Sequence, residues 1–197
     1  MLFRPSTKPG REALECLRRE VEDLERAVKL LEAIVGDGNA DGAEEEVEEL
    51  SEDVVEARDR VEEAMSDGPL VPAVKEELLS LAENVRRATE VLLTLVSMMA
   101  ALEEIPEDLK GLVSRLKEVV EGLKTAVVTL DEDVEKAAEI AEDTRKLEED
   151  VRNEIREFMF SNPNDKLIPI LVEMERCLDY IDRALDDVVS IKIKFLG

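Results

Sequence analysis

Apolar residues recur at intervals of three and four along most of the chain. The first series runs from Leu14 to Val35, and a second, from Val47 to Met65, follows a glycine-rich break. This interval places the apolar side chains on one face of an α-helix, whereas a half-buried strand would alternate every two residues. No segment alternates in that way over the length of a strand. The pattern therefore predicts an all-α protein.

Breaks divide this pattern into six long helices. The predicted helices cover residues 11–35, 43–65, 71–104, 106–130, 133–160 and 165–195. Four of the five breaks contain glycine or proline: GDGNADG (36–42), SDGPLVP (66–72), EIPED (104–108) and SNPND (161–165). In EIPED, Pro106 suits the first turn of the fourth helix. TLDED, between Thr129 and Asp133, has neither residue type, and we expect a Thr or Asp side chain there to cap the fifth helix.

The order of the helices predicts two tandem three-helix bundles. Residues 1–10 are expected to form an N-terminal extension, 11–104 the first three-helix repeat and 105–197 the second. Because each repeat is near the minimum size for a bundle, we expect one compact unit in which helices three and four are shared. The segment Val91–Leu102 is apolar on all sides, which predicts a position at the centre of the fold or at an oligomer interface.

Charge limits the classes of partner. The 197 residues are 44% hydrophobic and 39% charged, with a formal net charge of -24. Such a chain can bury a core, but its charge excludes nucleic acid as a direct ligand and disfavours docking on anionic lipid. Basic partners or multivalent cations are the natural counterparts. The absence of Gln is typical of heat-adapted proteins, and the acidity would equally suit a high-salt cytoplasm.

Catalytic machinery is not evident in the sequence. There is no His, so the usual general base and the commonest transition-metal ligand are missing. Cys16 and Cys177 lie far apart without metal-ligand spacing, and we expect buried, reduced thiols. The most apolar run, Val91–Leu102, has 12 residues, whereas a bilayer span needs about 20. We therefore expect a cytoplasmic protein without direct membrane insertion.

The stretch MERCLDYIDRALDD, residues 174–187, holds the most regular chemistry. Its acids lie on one helical stripe, about 120° from the apolar face of the sixth helix: Glu175, Asp179, Asp182 and Asp186. Arg176 and Arg183 on the next flank are expected to neutralise part of the stripe. The simplest interpretation is a solvated acidic face. The alternative is a site for Mg²⁺, Ca²⁺, Mn²⁺ or iron, completed by acids of the fifth helix.

A second acidic run spans Glu44 to Asp53. Acids in a first turn stabilise a helix through its dipole, so a solvated helix start is the simpler interpretation. The acids also resemble, loosely, those with which helical nucleotide pyrophosphohydrolases of the MazG kind hold Mg²⁺; they are Glu45, Glu46, Glu49, Glu56 and Asp59.

MERCLD resembles the last-helix signature of the PhoU-like phosphate-transport regulators, through Met174, Glu175, Arg176 and Asp179. EDVRNEIREFMF followed by SNPND looks like that family's fifth helix and loop, and EIPEDLKGLVSRLKEVVEGLKTAVVTL is similar to the mid-chain of its shorter branch, the Pit accessory proteins. The resemblance implies a pair of three-helix bundles, a cytoplasmic location and a role in phosphate transport. It also implies carboxylates on facing helices that can hold metal ions.

The family's acidic positions carry over only in part. The sixth helix keeps Glu175 and Asp179, whereas Ser51 and Val55 stand at the corresponding positions of the second helix. In the third helix these positions hold Glu83 and Arg87. In the fifth they hold Arg145 and Glu149, with Glu139 and Asp143 as an out-of-register alternative. Any divalent cation or iron is therefore expected between helices five and six, with these candidate ligands: Glu175, Asp179, Asp182, Glu139, Asp143 and Glu149.

The first functional hypothesis is a non-enzymatic, PhoU-like regulator or accessory protein of phosphate transport, which acts by protein–protein binding and requires no cofactor. Its partner would be a membrane transporter or signalling protein of phosphate uptake, and the protein would reach the membrane only through that partner. The alternatives are a Mg²⁺-dependent nucleotide phosphohydrolase and a helical scaffold without a small ligand. A homo-oligomer is expected because of the apolar segment Val91–Leu102.

Overall fold

A computed structural model describes residues 8–37, 42–66, 72–161 and 166–196. These residues form helices and short turns, with no strand among them, and the all-α prediction is confirmed. The six helices are α1 (Lys8–Asp37), α2 (Ala43–Ser66), α3 (Pro72–Ala100), α4 (Glu107–Thr129), α5 (Val134–Ser161) and α6 (Ile168–Leu196).

The ends of several helices have identifiable caps. Gly42 precedes α2 with a φ of 83°, a conformation that suits glycine, and its carbonyl accepts the N–H of Glu46 at 3.1 Å. The TLDED turn is confirmed, and its acid makes the cap, because Asp133 Oδ1 accepts the N–H of Lys136 at 2.9 Å. The Thr129 hydroxyl instead donates to the carbonyl of Thr125.

Two expectations around the middle of the chain were wrong. The third helix ends at Ala100 rather than Glu104, because the N–H of Leu102 turns back to the carbonyl of Met99 at 3.1 Å and closes the last turn. Pro106 is the N-cap of α4 rather than part of its first turn, with extended φ and ψ of -64° and 147°. In this position its carbonyl accepts the N–H of Leu109.

Several predicted loop segments lie outside the described residues: 1–7 of the predicted N-terminal extension, 38–41 and 67–71 in the first two breaks, and 162–165 in the last. Residues 8–10, which the prediction assigned to the extension, are the first residues of α1.

The two halves meet through α3 with α6 and through α1 with α4. Of all helix pairs in the described residues, α3 and α6 make the most extensive contact. They run antiparallel, since Glu77 binds Lys194 whereas Ala88, further along α3, accepts a hydrogen bond from Cys177. α2 covers α1 and α3, and α5 covers α4 and α6. The division into two sequence repeats stays a prediction.

Helices three and four each pack across the joint between the halves, α3 against α6 and α4 against α1, as sharing them requires. The described parts of α3 and α4 make no direct contact, and α3 packs against α1, α2 and α6. Its apolar segment supplies these contacts, with Leu92, Leu95 and Met99 fully buried. The central position predicted for Val91–Leu102 is therefore confirmed, and its role in an oligomer stays a prediction. Cys177 is buried and reduced as expected, whereas Cys16 is half-buried.

Candidate functional site

The acidic stripe of the sixth helix lies on the flank of α6 that faces α5. Met174, Cys177 and Leu178 point into the core and are fully buried. The acids follow them around the helix and reach the surface, with 53% of the Asp179 side chain exposed. The stripe therefore occupies the flank that the spacing predicts, and its chemistry depends on the residues opposite it on α5.

Three arginines of α5 face this stripe, and we call Arg145, Arg152 and Arg156 the arginine ladder. They lie seven and four residues apart, which keeps them on one face of the helix. Each binds a carboxylate of α6. The N···O distance is 3.0 Å between Arg145 and Asp182 and 2.8 Å between Arg156 and Glu175. The remaining pairs are Arg145 with Asp186 and Arg152 with Asp179.

The expectation that Arg176 and Arg183 of α6 neutralise the acidic stripe was wrong, because the arginine ladder of α5 binds those acids. Arg176 pairs with Glu173 at 3.3 Å, one turn back on the same helix. Arg183 lies over the ring of Tyr180, with 5.6 Å between the guanidinium carbon and the ring centroid. Both arginines thus have other partners, because they point away from α5.

A buried carboxylate supports the middle of the ladder. Glu148 of α5 has a side chain that is 6% exposed and binds Arg152, whose own side chain is 14% exposed. Burial raises the pKa of Glu148, and the positive charge of Arg152 opposes that rise. Arg152 therefore joins a buried acid of α5 to Asp179 of α6. Such charge-assisted bonds fix the two helices in register.

The six predicted metal ligands lie in different surroundings. Glu175, Asp179 and Asp182 are the acids that bind the ladder. Glu139 and Asp143 are exposed on another side of α5, where Asp143 binds Lys146 at 2.8 Å. Glu149 is exposed.

Within the described residues, no group of three or more acidic, Cys or His side chains is arranged to hold a metal ion. A cation at α6 would have to displace guanidinium groups. Its presence stays a prediction.

The ladder lines an open groove of about 730 Å³ between α5 and α6. We call it the α5–α6 groove, and its walls include Arg145, Lys146, Arg152, Arg156, Asp179 and Asp182. Charges of both signs alternate along it and bind one another. Most charged groups of the groove already have partners. The groove therefore resembles a structural ion-pair network more than an open binding site.

A second groove, of about 330 Å³, lies between α2 and α3. We call it the α2–α3 groove, and its walls include Val47, Ser51, Val55, Leu93, Thr94 and Ser97. The two positions at which the second helix lacks the family's acids, Ser51 and Val55, are therefore part of this surface. Val55 is 65% exposed.

The predicted acids of α3 bind arginines of their own helix. Glu83 Oε1 accepts Arg86 Nη2 at 2.7 Å and Arg87 Nε at 2.8 Å, and Glu90 binds both arginines as well. Arg86 is 10% exposed. Glu83 and Arg87 thus form a network within α3.

Four of the five acids of α2 that resemble a Mg²⁺ cluster lie on one side of the helix, within about 80° of turn: Glu45, Glu49, Glu56 and Asp59. Glu49 binds Arg26 of α1 at 3.5 Å, whereas Glu56 binds Arg60 on α2 at 3.2 Å. Glu45 and Asp59 are exposed. Hard cations need several oxygens within about 2.6 Å of one point, and one helix face alone cannot supply them.

Sequence analysis missed a buried acid on α1. Glu20 is 4% exposed, and neither of its carboxylate oxygens has a hydrogen-bond partner among the described residues. Burial raises its pKa to about 8, and the charge of Arg86 opposes that rise. The spacing of the sequence did indicate burial, because Glu20 follows Leu17 by three residues and precedes Leu24 by four, as core residues of a helix do.

Another buried acid lies where α3 meets α6. Asp187 is 9% exposed and accepts a 2.8 Å hydrogen bond from Asn84 Nδ2. Burial raises its pKa to about 6, against the lowering effect of that hydrogen bond. Asp187 follows Ala184 by three residues and precedes Ile191 by four. This is again the spacing of core residues, although a charged side chain is ordinarily expected at the surface.

None of the helices, over the residues that the structure describes, is both long and apolar enough to cross a membrane.

Comparison with known proteins shows a similarity of fold. No family model and no curated protein matches the sequence. A crystal structure of a PhoU-like protein from Shewanella oneidensis MR-1 superimposes with a TM-score of 0.57 at 13% identity, over 93% of this chain and 96% of that one. A second crystal structure from the same organism, of a candidate PhoU-like phosphate regulatory protein, gives a TM-score of 0.53 at 14% identity over the same shares. The PhoU-like fold is thereby confirmed.

Proposed function

We propose that this chain is a non-enzymatic regulator of phosphate transport that acts by binding a protein partner. The observation that carries the proposal is the likeness of its six-helix fold, over 93% of its length, to a structure described as a PhoU-like phosphate regulatory protein. The MERCLD stretch supports the same family. The expected partner is a membrane transporter, including one of the Pit type, or a signalling protein of phosphate uptake. The protein would work in the cytoplasm.

The chemistry of the described surface also favours protein binding. Its most regular charged groups bind one another across α5 and α6, and the chain has no His to serve as a general base. Free phosphate is not the expected ligand, since a protein with a net charge of -24 repels anions.

Two experiments in the source organism test the proposal. Deletion of the gene should change phosphate uptake, and the wild-type gene should restore it. An affinity-tagged chain, cross-linked in cells grown at low and at high phosphate, should enrich a phosphate transporter or its signalling protein from the membrane fraction. A tagged acidic helical protein of similar size is the control. Unchanged uptake, together with no transporter above that control, would reject the proposal.

Two biochemical measurements test its remaining parts. Hydrolysis of a nucleoside triphosphate with Mg²⁺ that is lost in Glu49→Gln would show an enzyme instead of a regulator. Metal analysis of the purified protein, beside its Asp179→Asn variant, tests the cation predicted at α6. Metal that is retained by the wild type and falls in the variant would mean that a cation shares these carboxylates with the arginine ladder.

A further inference from the structure

The α2–α3 groove has an apolar floor. Val47 and Val54 of α2 and Leu93 of α3 line it, and Val55 stands at its edge with 65% of its surface exposed. An exposed aliphatic side chain beside buried ones extends the apolar surface outward to solvent. Grooves with such a floor suit apolar side chains of another chain.

The hydroxyl groups of the groove do not change this character. Ser51, Thr94 and Ser97 each donate to the carbonyl four residues earlier in their own helix, at 2.6, 3.0 and 3.1 Å. Their donors are therefore satisfied within the helix, and their carbon atoms add to the apolar surface. A phosphate or another polar small molecule would find few free donors here.

An acidic border runs along the outer side of the groove. At about 100° of turn per residue, Glu48, Glu52 and Asp59 follow Val55 around α2, on the side away from the core. All three are exposed, and none pairs with a cation among the described residues. Further around α2, Glu49 and Asp53 bind Arg26 of α1. The three acids beside the groove have no such counterion among the described residues.

We propose that the α2–α3 groove docks a basic, amphipathic helical segment of a protein partner. Its apolar side chains would lie on Val47, Val55 and Leu93, and its lysines or arginines would pair with Glu48, Glu52 and Asp59. Charge complementarity identifies the occupant, because the floor is apolar, the border is acidic and the whole chain carries -24. This inference rests on the proposed function, for which it specifies the binding surface.

Binding of synthetic peptides to the full chain tests the chemistry of the occupant. The probe is a fluorescent Leu/Lys peptide with leucines at helical spacing, and anisotropy reports its binding. We compare it with a peptide in which serine replaces leucine and with one in which glutamate replaces lysine. Only the Leu/Lys peptide should bind. Equal binding of the Ser/Lys peptide, or no binding of the Leu/Lys peptide, would overturn the proposal.

Matched variants locate the binding. Glu48→Lys combined with Glu52→Lys should weaken the Leu/Lys peptide about tenfold, because two attractive charges become repulsive. The control combines Glu118→Lys with Glu121→Lys on α4, which changes the net charge equally at exposed positions away from α2 and α3. If the control loses as much affinity as the groove variant, the peptide responds only to net charge and the proposal fails.

A second pair of variants tests the apolar contact. Val55→Lys should also weaken binding about tenfold, since it removes an apolar contact and adds a positive charge. Ile193→Lys on α6 is its control, because Ile193 is exposed to the same 65%. Circular dichroism of all variants establishes that they fold. Equal binding by Val55→Lys and the wild type would overturn the proposal.

The same variants separate this inference from the proposed function. If Val55→Lys still enriches the transporter from membranes as the wild type does, the regulator stands and the groove is the wrong surface. If the wild type enriches no transporter but binds the peptide as expected, the groove stands and the phosphate role fails. Light scattering tests a second copy as occupant, and a dimer that Val55→Lys dissociates would overturn the proposal.

Discussion

The α5–α6 groove and the α2–α3 groove lie at corresponding places in the two halves, each between an outer helix and a helix of the central pair. In the second half, Arg145, Arg152 and Arg156 bind the acids of the facing helix. In the first half, Glu90 of the groove wall pairs with Arg86 and Arg87 of its own helix, and among the described residues no ion pair crosses from α2 to α3. The other walls are apolar side chains and hydroxyls that donate within their own helix. Ion pairs between helices thus distinguish the two similarly placed surfaces.

The buried acids differ between the halves in the same way. Glu148 binds Arg152, whereas Glu20 has no hydrogen-bond partner among the described residues. A buried ionised carboxylate is stable only with a cation or several donors, and otherwise it is held in the protonated form. Glu148 thus has a cation beside it in the folded protein, whereas the unpartnered Glu20 makes stability depend on pH.

The largest expected effect comes from removing the middle arginine of the ladder. Arg152→Met leaves Glu148 buried without its cation, and we expect the free energy of unfolding to fall by about 2 kcal/mol. Urea unfolding at neutral pH measures it. Arg87→Met is the control in the first half, because its side chain is 45% exposed, and it should cost less than about 1 kcal/mol. Equal losses would mean that the two halves do not differ in this respect.

The next effect concerns Glu20 and has a defined pH dependence. Its pKa is about 8 in the folded protein against an ordinary 4.5. The stability that its protonated form provides is complete below pH 4.5 and is lost as the pH rises through 8. Glu20→Gln should therefore gain stability over the wild type as pH rises from 5 to 9, by on the order of 2 kcal/mol. Thermal melts across this range measure the difference.

Glu22→Gln on the same helix is the control for Glu20→Gln, because it removes the same charge at an exposed position. The same change of stability with pH in both variants would contradict the buried, unpartnered state of Glu20.

A smaller effect on stability is expected where α4 and α5 approach each other closely. A Cβ at Gly122 would lie 2.4 Å from Thr144 Oγ1, closer than any real contact. Gly122→Ala should therefore destabilise the protein by about 1 kcal/mol through overpacking, despite the better helix propensity of alanine. At Gly111, on the same helix, a Cβ meets nothing within 4 Å. Gly111→Ala should stabilise the protein, and opposite signs in denaturant midpoints would confirm the close approach of α4 and α5.

The smallest effect on stability is expected for a hydroxyl of the α2–α3 groove. Ser51→Ala removes a hydroxyl that donates only to the carbonyl of Val47. Stability should change by less than about 0.5 kcal/mol, in the favourable direction, and binding of the Leu/Lys peptide should stay the same. A clear loss of peptide affinity would show that the hydroxyl contacts the ligand and that the groove is more polar than its hydrogen bonds indicate.

The fold could be predicted from the sequence because apolar spacing dominates long helices. The series from Leu14 to Val35 was expected to lie on one face of a helix, and its members Leu17, Leu24 and Leu31 are fully buried. The pairing of α3 with α6 could not be predicted, since helices that are apolar on several sides can pack on more than one neighbour. Glu20 and Asp187 also stand at core spacing, and they were missed because their charge was taken to indicate exposure.

The site was foreseen in part. The stripe at Glu175 and Asp179 was placed on the flank of α6 where it lies, and Arg145 was noted only as the residue at one of the family's acidic positions on the fifth helix. Its neutralisation by α5 was missed, because which arginine reaches which acid depends on the rotation of two helices about their axes. One sequence shows where charges lie on each helix, whereas their pairing follows from tertiary packing.

The antiparallel contact of α3 with α6 has a consequence for the order of folding. A ribosome completes α3 long before α6 appears, because α4 and α5 are made in between. Until then, the side of α3 that α6 will cover is exposed to water, and such surfaces attract other unfolded chains. Contacts between residues so distant in sequence also slow folding. The last of the described helices therefore completes the core, and a nascent chain that ends before α6 should be a substrate for chaperones.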